Sequence, residues 1–182
     1  MVAEFTGCVY FMQIGYKSHT MRSVGNTVSD FTAEGVQNGE ITDITLSEYG
    51  DGRFIVLVFY VHDFSPVCET QMCEINDSEF LTFNDNVAVL GISTDGPYSH
   101  KKFSEANSLS YPLVYDDDKA IYEMFGMIEE TEEGKRKPKR GIVLIDEERT
   151  IRYWWQAEDN WDAWRIDPIS ELIDVLTEII AL

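Results

Sequence analysis

RFIVLVFYVHDFSPVCETQMC, residues 53–73, decides how this chain is read. Its first part, Arg53 to Tyr60, is a dense apolar, β-branched and aromatic run, the composition of a buried strand. Ser65 and Pro66 follow. Serine then proline is a helix-start signature, with the cap first and proline at the first helical position. Cys68 thereby falls in the first turn of the new helix. Unpaired backbone N–H groups and the positive end of the helix dipole favour a thiolate at such a position. A cysteine at the C-terminal end of a strand and on a helix N-terminus is the local arrangement of a reactive thiol.

Working outward, Phe31 to Val36 and Ile41 to Leu46 are short extended pieces around the turn-like QNGE, a hairpin. The helix opened by Pro66 is expected to run to about Phe83, with Met72, Ile75, Phe80 and Phe83 on one face. VAVLGIS, Val87 to Ser93, reads as a second buried strand, Tyr98 to Asn107 as a surface helix, and Leu113 to Tyr115 as a short extended segment. Asp118 to Phe125 reads as a short helix. Glu129 to Arg140, EETEEGKRKPKR, is the most polar stretch and reads as a loop, more a solvated hairpin than a binding tail. Gly141 to Asp146 and Thr150 to Trp155 pair across the turn EER, and Asp167 to Ile180 is an amphipathic C-terminal helix. The predicted fold is therefore α/β and thioredoxin-like: a central mixed β-sheet flanked by helices, with an N-terminal β-hairpin. Residues 1–22 read as a disordered or mis-started extension, with Met21 as an alternative start, and residues 23–182 as one domain.

Composition narrows the function. The chain has 182 residues, 44% hydrophobic and 13% aromatic, which suits one folded domain with a real core. No apolar run approaches the roughly 20 residues that span a bilayer, so no membrane partner is expected. The net charge is −19, from 33 acidic and 14 basic residues, and the excess is spread along the chain. Nucleic-acid binding is disfavoured, because phosphates need a basic stripe. A distributed acidic surface with few lysines resembles proteins of salt-accumulating halophiles. The three cysteines, Cys8, Cys68 and Cys73, are too few for a disulfide framework and point to a reducing cytoplasm. His62 and His100 complete no metal-ligand spacing, so no metal and no cofactor are expected. Trp154, Trp155, Trp161 and Trp164 are expected to pack the final helix on the sheet or to form an oligomer contact.

Several ordered stretches resemble one family. FYVHDFSPVCETQMC resembles the active-site motif of the AhpC/TSA peroxiredoxins, F-Y-P-x-x-x-[TS]-x-x-C. VGNTVSDFTAEGV looks like the family's entry segment, GISTD like its GIS-x-D, and KRGIVLID like its R-x-x-F-x-I-D strand. The resemblance covers about Val24 to Leu176. It implies that Cys68 is the peroxidatic cysteine, that the Ser65 hydroxyl holds peroxide and thiolate, and that Arg140 supports the thiolate and polarises the O–O bond. Gln71 would orient that arginine. The motif's proline is Val61 here, which can still exclude water but does not fix φ. Cys73 follows Cys68 with four residues between, a spacing that resembles the bacterioferritin-comigratory (Q-type) peroxiredoxins, in some of which the second cysteine resolves the first. Positions five apart on a helix differ by about 140° around the axis and about 7.5 Å along it. A disulfide between them requires the first turns of the helix to unwind.

The function so implied is a thiol peroxidase acting on hydrogen peroxide or an alkyl hydroperoxide, recycled by thioredoxin or a glutaredoxin-like reductant, as monomer or homodimer. Two rivals stand beside it. A general thiol–disulfide oxidoreductase of the same fold is disfavoured by the missing C-x-x-C. A catalytically degenerate redox sensor draws its support from Val61.

Overall fold

The structure is a computed structural model that describes residues 24–160, 164 and 167–180. The expected extension at residues 1–22, with Cys8, and Trp161 lie outside the described residues. Nine strands and five α-helices follow in chain order among those described. They are β1 (Thr32–Gln37), β2 (Glu40–Thr45), β3 (Phe54–Phe59), α1 (Pro66–Asn76), α2 (Glu79–Thr82), β4 (Val87–Ser93) and α3 (Pro97–Asn107). Then come β5 (Leu113–Tyr115), α4 (Ala120–Met124), β6 (Ile128–Glu130), β7 (Arg136–Pro138), β8 (Gly141–Ile145), β9 (Ile151–Gln156) and α5 (Asp167–Ile180). Seven strands form one sheet in the order β2-β1-β5-β4-β3-β8-β9. The two parallel pairs, β3 with β4 and β4 with β5, sit at its centre, and the other neighbours are antiparallel. This is the expected mixed sheet of a thioredoxin-like fold.

β3 shows why the apolar run had no alternation. Val56 and Val58 point into one core, with Met72 and Ile75 of α1, Leu81 of α2, Phe103 of α3 and Leu172 and Leu176 of α5. Ile55, Leu57 and Phe59 point into a second core, with Ile121 and Tyr122 of α4 and Phe125. A strand buried on both faces must be apolar at every position. The hairpin turns through Asn38 and Gly39, both at positive φ (52° and 78°), a conformation that asparagine and glycine tolerate best.

Three expectations change. The helix expected over 66–83 is two helices, broken at Asp77 and Ser78. Asn76 turns its carboxamide outward to take the Ser110 N–H and hydroxyl and to donate to the Ser108 carbonyl, and the Ser78 carbonyl starts a new turn at Leu81 and Thr82. Phe83 is consequently 79% exposed rather than on the buried face. The polar stretch after Ile128 forms a hairpin, β6–β7, as expected, but its last two residues, Lys139 and Arg140, are buried rather than solvated. The helix at 118–125 shortens to α4, because the Asp116 carboxylate accepts the Ile121 and Tyr122 N–H groups and sets its start.

Gly141 opens β8 opposite Phe59, the last residue of β3. A Cβ there would sit 2.7 Å from the Trp155 carbonyl oxygen and against the Met127 sulfur. Backbone cannot step aside in the middle of a sheet. Gly141→Ala is expected to cost about 2–4 kcal/mol, read as a lower urea midpoint at unchanged slope. A midpoint within error of wild type would contradict this packing.

Candidate active site

Two crossings of the sheet build the site. β3 ends at Phe59, and the segment Tyr60–Ser65 carries the chain to α1, whose first turn holds Cys68. Pairing of Phe59 with Gly141 brings Arg140 to the same end of the sheet. The Arg140 guanidinium is buried (1% exposed) and its Nη2 donates to Cys68 Sγ at 3.3 Å. Its Nη1 donates to Gln71 Oε1, one turn further along α1. Gln71 is buried too and turns its Nε2 toward the Phe59 carbonyl at 3.5 Å. The glutamine thus faces both the strand before the cysteine and the arginine.

Cys68 is buried in the same apolar cluster as Val61, which is 8% exposed. Valine at the motif's proline position is thus part of the apolar cluster that holds Cys68. Ser65 stands at the N-cap of α1, but its hydroxyl bonds neither to the helix nor to Cys68. Its Oγ is buried without a hydrogen-bond partner among the described residues. A buried polar atom left unpaired costs about 1–3 kcal/mol, unless something that binds there supplies the partner.

No carboxylate pairs with Arg140 among the described residues. Its remaining contacts go to the Asn160 carbonyl oxygen, from Nε at 3.3 Å and Nη2 at 2.9 Å. A guanidinium carries five N–H groups. These contacts engage four of them, and one on Nη1 has no partner among the described residues. Among the described residues the groups that accept from this buried cation are two amide oxygens and the Cys68 sulfur.

Cys73 lies on the same helix, half-buried, with its thiol 3.5 Å from Asn107 Oδ1. Burial first, then the Glu69 and Asp77 carboxylates, push its pKa above the ordinary thiol value. Cys73 therefore stays a thiol through neutral pH and ionises only above the ordinary range. In a Cys68→Ser background, its alkylation by iodoacetamide is expected to rise with a pH midpoint above that of a free cysteine. A midpoint at or below the free value would contradict the assignment.

Sequence reasoning missed two groups. A buried network lies behind the loop that precedes Cys68. Tyr60 donates to Asp63 Oδ1 at 2.8 Å, and Asp63 Oδ2 meets His100 Nδ1 at 2.9 Å. Burial, then Asp63, raises the Tyr60 pKa well above the usual phenol value, so it remains a donor. The Tyr122 hydroxyl shares its one hydrogen between the carbonyls of Tyr60 and Ile92, joining α4 to the ends of β3 and β4. Asn160 is the second omission. His62 is exposed and pairs with Asp95 at 3.5 Å, and no metal-binding group of three or more ligands occurs among the described residues. The tryptophans divide: Trp154 donates to the Phe125 carbonyl in the second core, whereas Trp155 and Trp164 pack with α5 in the first.

Comparison with known proteins places the chain in a family. Residues 24–154 match the AhpC/TSA family. The chain is 34% identical over 137 residues to the chloroplastic 2-Cys peroxiredoxin BAS1 of Hordeum vulgare, a match over 71% of this chain and 64% of that protein. It spans about half to two thirds of the length of such plant relatives. Among solved structures, peroxidoxin BcpB from Mycobacterium tuberculosis superposes with a TM-score of 0.72 at 28% identity, over 86% of this chain and 97% of the other. A mutant of PrxQ from Xylella fastidiosa superposes with a TM-score of 0.72 at 26% identity, over 87% and 97%. The matched stretch holds Val61, Ser65, Cys68, Gln71, Cys73 and Arg140 together, and the chain belongs to the AhpC/TSA family.

Proposed function

We propose that this chain is a thiol peroxidase that reduces hydrogen peroxide and organic hydroperoxides through Cys68. The observation that carries the reading is the Arg140 Nη2 contact with Cys68 Sγ at 3.3 Å, beside an Nη1 hydrogen that has no partner among the described residues. The buried Ser65 hydroxyl at the start of the same helix, without a partner among the described residues, adds a second donor. Peroxide reduction needs an anionic sulfur, donors for the two peroxide oxygens and exclusion of bulk water. Ser65 and Arg140 hold the peroxide, Val61 walls off water, and Gln71 orients Arg140. The sulfur attacks the nearer oxygen, the O–O bond breaks, and the leaving alkoxide or hydroxide takes a proton to give alcohol or water. Cys68 is left as sulfenic acid.

Cys73 then attacks that sulfur, forming the disulfide and releasing water. Both cysteines lie on α1, so the helix must open first. The far end of α1 is fastened: Tyr111 donates to the Met72 carbonyl at 2.8 Å, and Asn76 holds Ser108 and Ser110. The first turn, with Cys68, is therefore the part that moves. Unwinding of that turn also carries Glu69 away from Cys73, easing one of the two charges that oppose its ionisation. A thioredoxin-type dithiol returns both cysteines to thiols and leaves as its own disulfide. The placement of both cysteines on one helix favours the Q-type subgroup. The charge of −19 favours a salt-accumulating cell, and the sparse cysteines favour a cytoplasmic site. The domain would then span 23–182 and act as monomer or homodimer.

The test is steady-state consumption of hydrogen peroxide in molar KCl with thioredoxin, thioredoxin reductase and NADPH, followed by non-reducing mass analysis. Turnover that needs Cys68, with an internal disulfide that needs Cys73, is expected. Stable sulfenic acid in the wild type would make Cys73 structural. Consumption no faster than with a free thiol would sink the peroxidase reading.

A further inference from the structure

We infer that Asn160 is a positioning residue for Arg140, one that lies outside the stretch matching the family. The inference rests on the peroxidase reading and deepens it. Asn160 grips the arginine at its backbone and its side chain, and the strand start before it at Pro138. Its side-chain Oδ1 accepts the Arg140 backbone N–H at 2.8 Å. Its Nδ2 donates to the Pro138 carbonyl at 2.8 Å. Its backbone carbonyl takes the Nε and Nη2 hydrogens of the guanidinium. One carboxamide thus reads the backbone two residues apart, and the same residue's carbonyl fixes the plane of the side chain. Ala157 N–H to the Arg140 carbonyl (2.9 Å) and Lys139 Nζ to the Glu158 carbonyl (2.7 Å) tie the rest of the segment to the same strand start.

A guanidinium rotates as a rigid fork. With Nε and one Nη2 hydrogen held on the Asn160 carbonyl, the other Nη2 hydrogen is aimed at Cys68 Sγ. Gln71 alone, on one Nη1 hydrogen, leaves the fork free to pivot about that contact. Asn160 removes the pivot. The segment also reaches the cysteine's own helix, since Trp164 Nε1 donates to Glu74 Oε2 at 2.5 Å and packs edge-on against Trp155 at 6.2 Å. Arginine and helix are therefore registered to each other through residues 157–160 and Trp164.

The test compares two reactions of Cys68 in wild type and Asn160→Ala. One is single-turnover oxidation by hydrogen peroxide, which needs the fork aimed. The other is alkylation by iodoacetamide at saturating pH, which needs a reachable thiolate but no guanidinium aimed at a peroxide oxygen. Oxidation is expected to fall by about tenfold to a hundredfold, with alkylation changed less than about twofold, so the ratio of the two rates collapses. Asn160→Asp keeps the acceptor for the Arg140 N–H and is expected to recover part of the loss. An unchanged ratio in Asn160→Ala, or equal falls in both rates, overturns the inference. Should Asn160→Ala not fold, the same ratio in Asn160→Ser decides, because the shorter hydroxyl cannot span Arg140 N and the Pro138 carbonyl. Slow oxidation of the wild type itself would instead overturn the peroxidase reading.

Discussion

Cys68→Ser is expected to remove reaction with hydrogen peroxide, by roughly 10³-fold or more in the single-turnover rate. A serine hydroxyl does not ionise near neutral pH and is a poor nucleophile toward peroxide oxygen. The fold should survive. Cys68 sits in the apolar cluster around α1, and serine is slightly smaller than cysteine. Its oxygen can also accept from Arg140 Nη2, which now meets the sulfur. A stability change of no more than about 2 kcal/mol is therefore expected by urea unfolding. Stopped-flow tryptophan fluorescence reads the rate. Peroxide reactivity that persists in Cys68→Ser and vanishes in Cys73→Ser would reverse the roles of the two cysteines.

Arg140→Lys is expected to lose about 10²- to 10³-fold in the same rate. Lysine carries the charge but not the fork. One ammonium cannot serve Gln71 Oε1, the Asn160 carbonyl and Cys68 Sγ together, contacts that the guanidinium makes from three nitrogens. Arg140→Met separates chemistry from stability. It removes a buried cation that no carboxylate pairs among the described residues, and it orphans two acceptors. The two effects oppose each other, so unfolding free energy should change by at most about 2 kcal/mol while the rate falls at least as far as in Arg140→Lys. An Arg140→Lys rate within about threefold of wild type would show that charge alone suffices and that the fork geometry is irrelevant.

Much of this arrangement is legible in the chain because it is local. The run RFIVLVFY reads as a buried strand and Ser65-Pro66 as a helix start, so Cys68 is placed before any tertiary contact is known. Arg140 needs one further step, the antiparallel pairing of β8 with β3, which the apolar GIVLID run supports. What stays hidden is set by contacts between distant segments. The break at Asp77 has no proline or glycine to announce it and arises because Asn76 bonds to Ser108 and Ser110. Lys139 and Arg140 sit in a run of charges that reads as solvated, yet residues 157–160 cover them. Asp63 and His100 become a buried pair only once α3 packs on the loop before α1. Asn160 carries no local signature, because what it satisfies are backbone groups of a strand start about 20 residues earlier.

The measurement that bears most directly on the central claim is single-turnover oxidation of the reduced wild-type chain by hydrogen peroxide in molar KCl, with a dimedone trap for sulfenic acid and peptide mapping of the product. The account predicts oxidation at least about 10³-fold faster than a free cysteine's, with excess trap competing against disulfide formation and its label on Cys68 itself within the peptide that also holds Cys73. A rate equal to that of a free thiol, or a label on Cys73 alone, would contradict it.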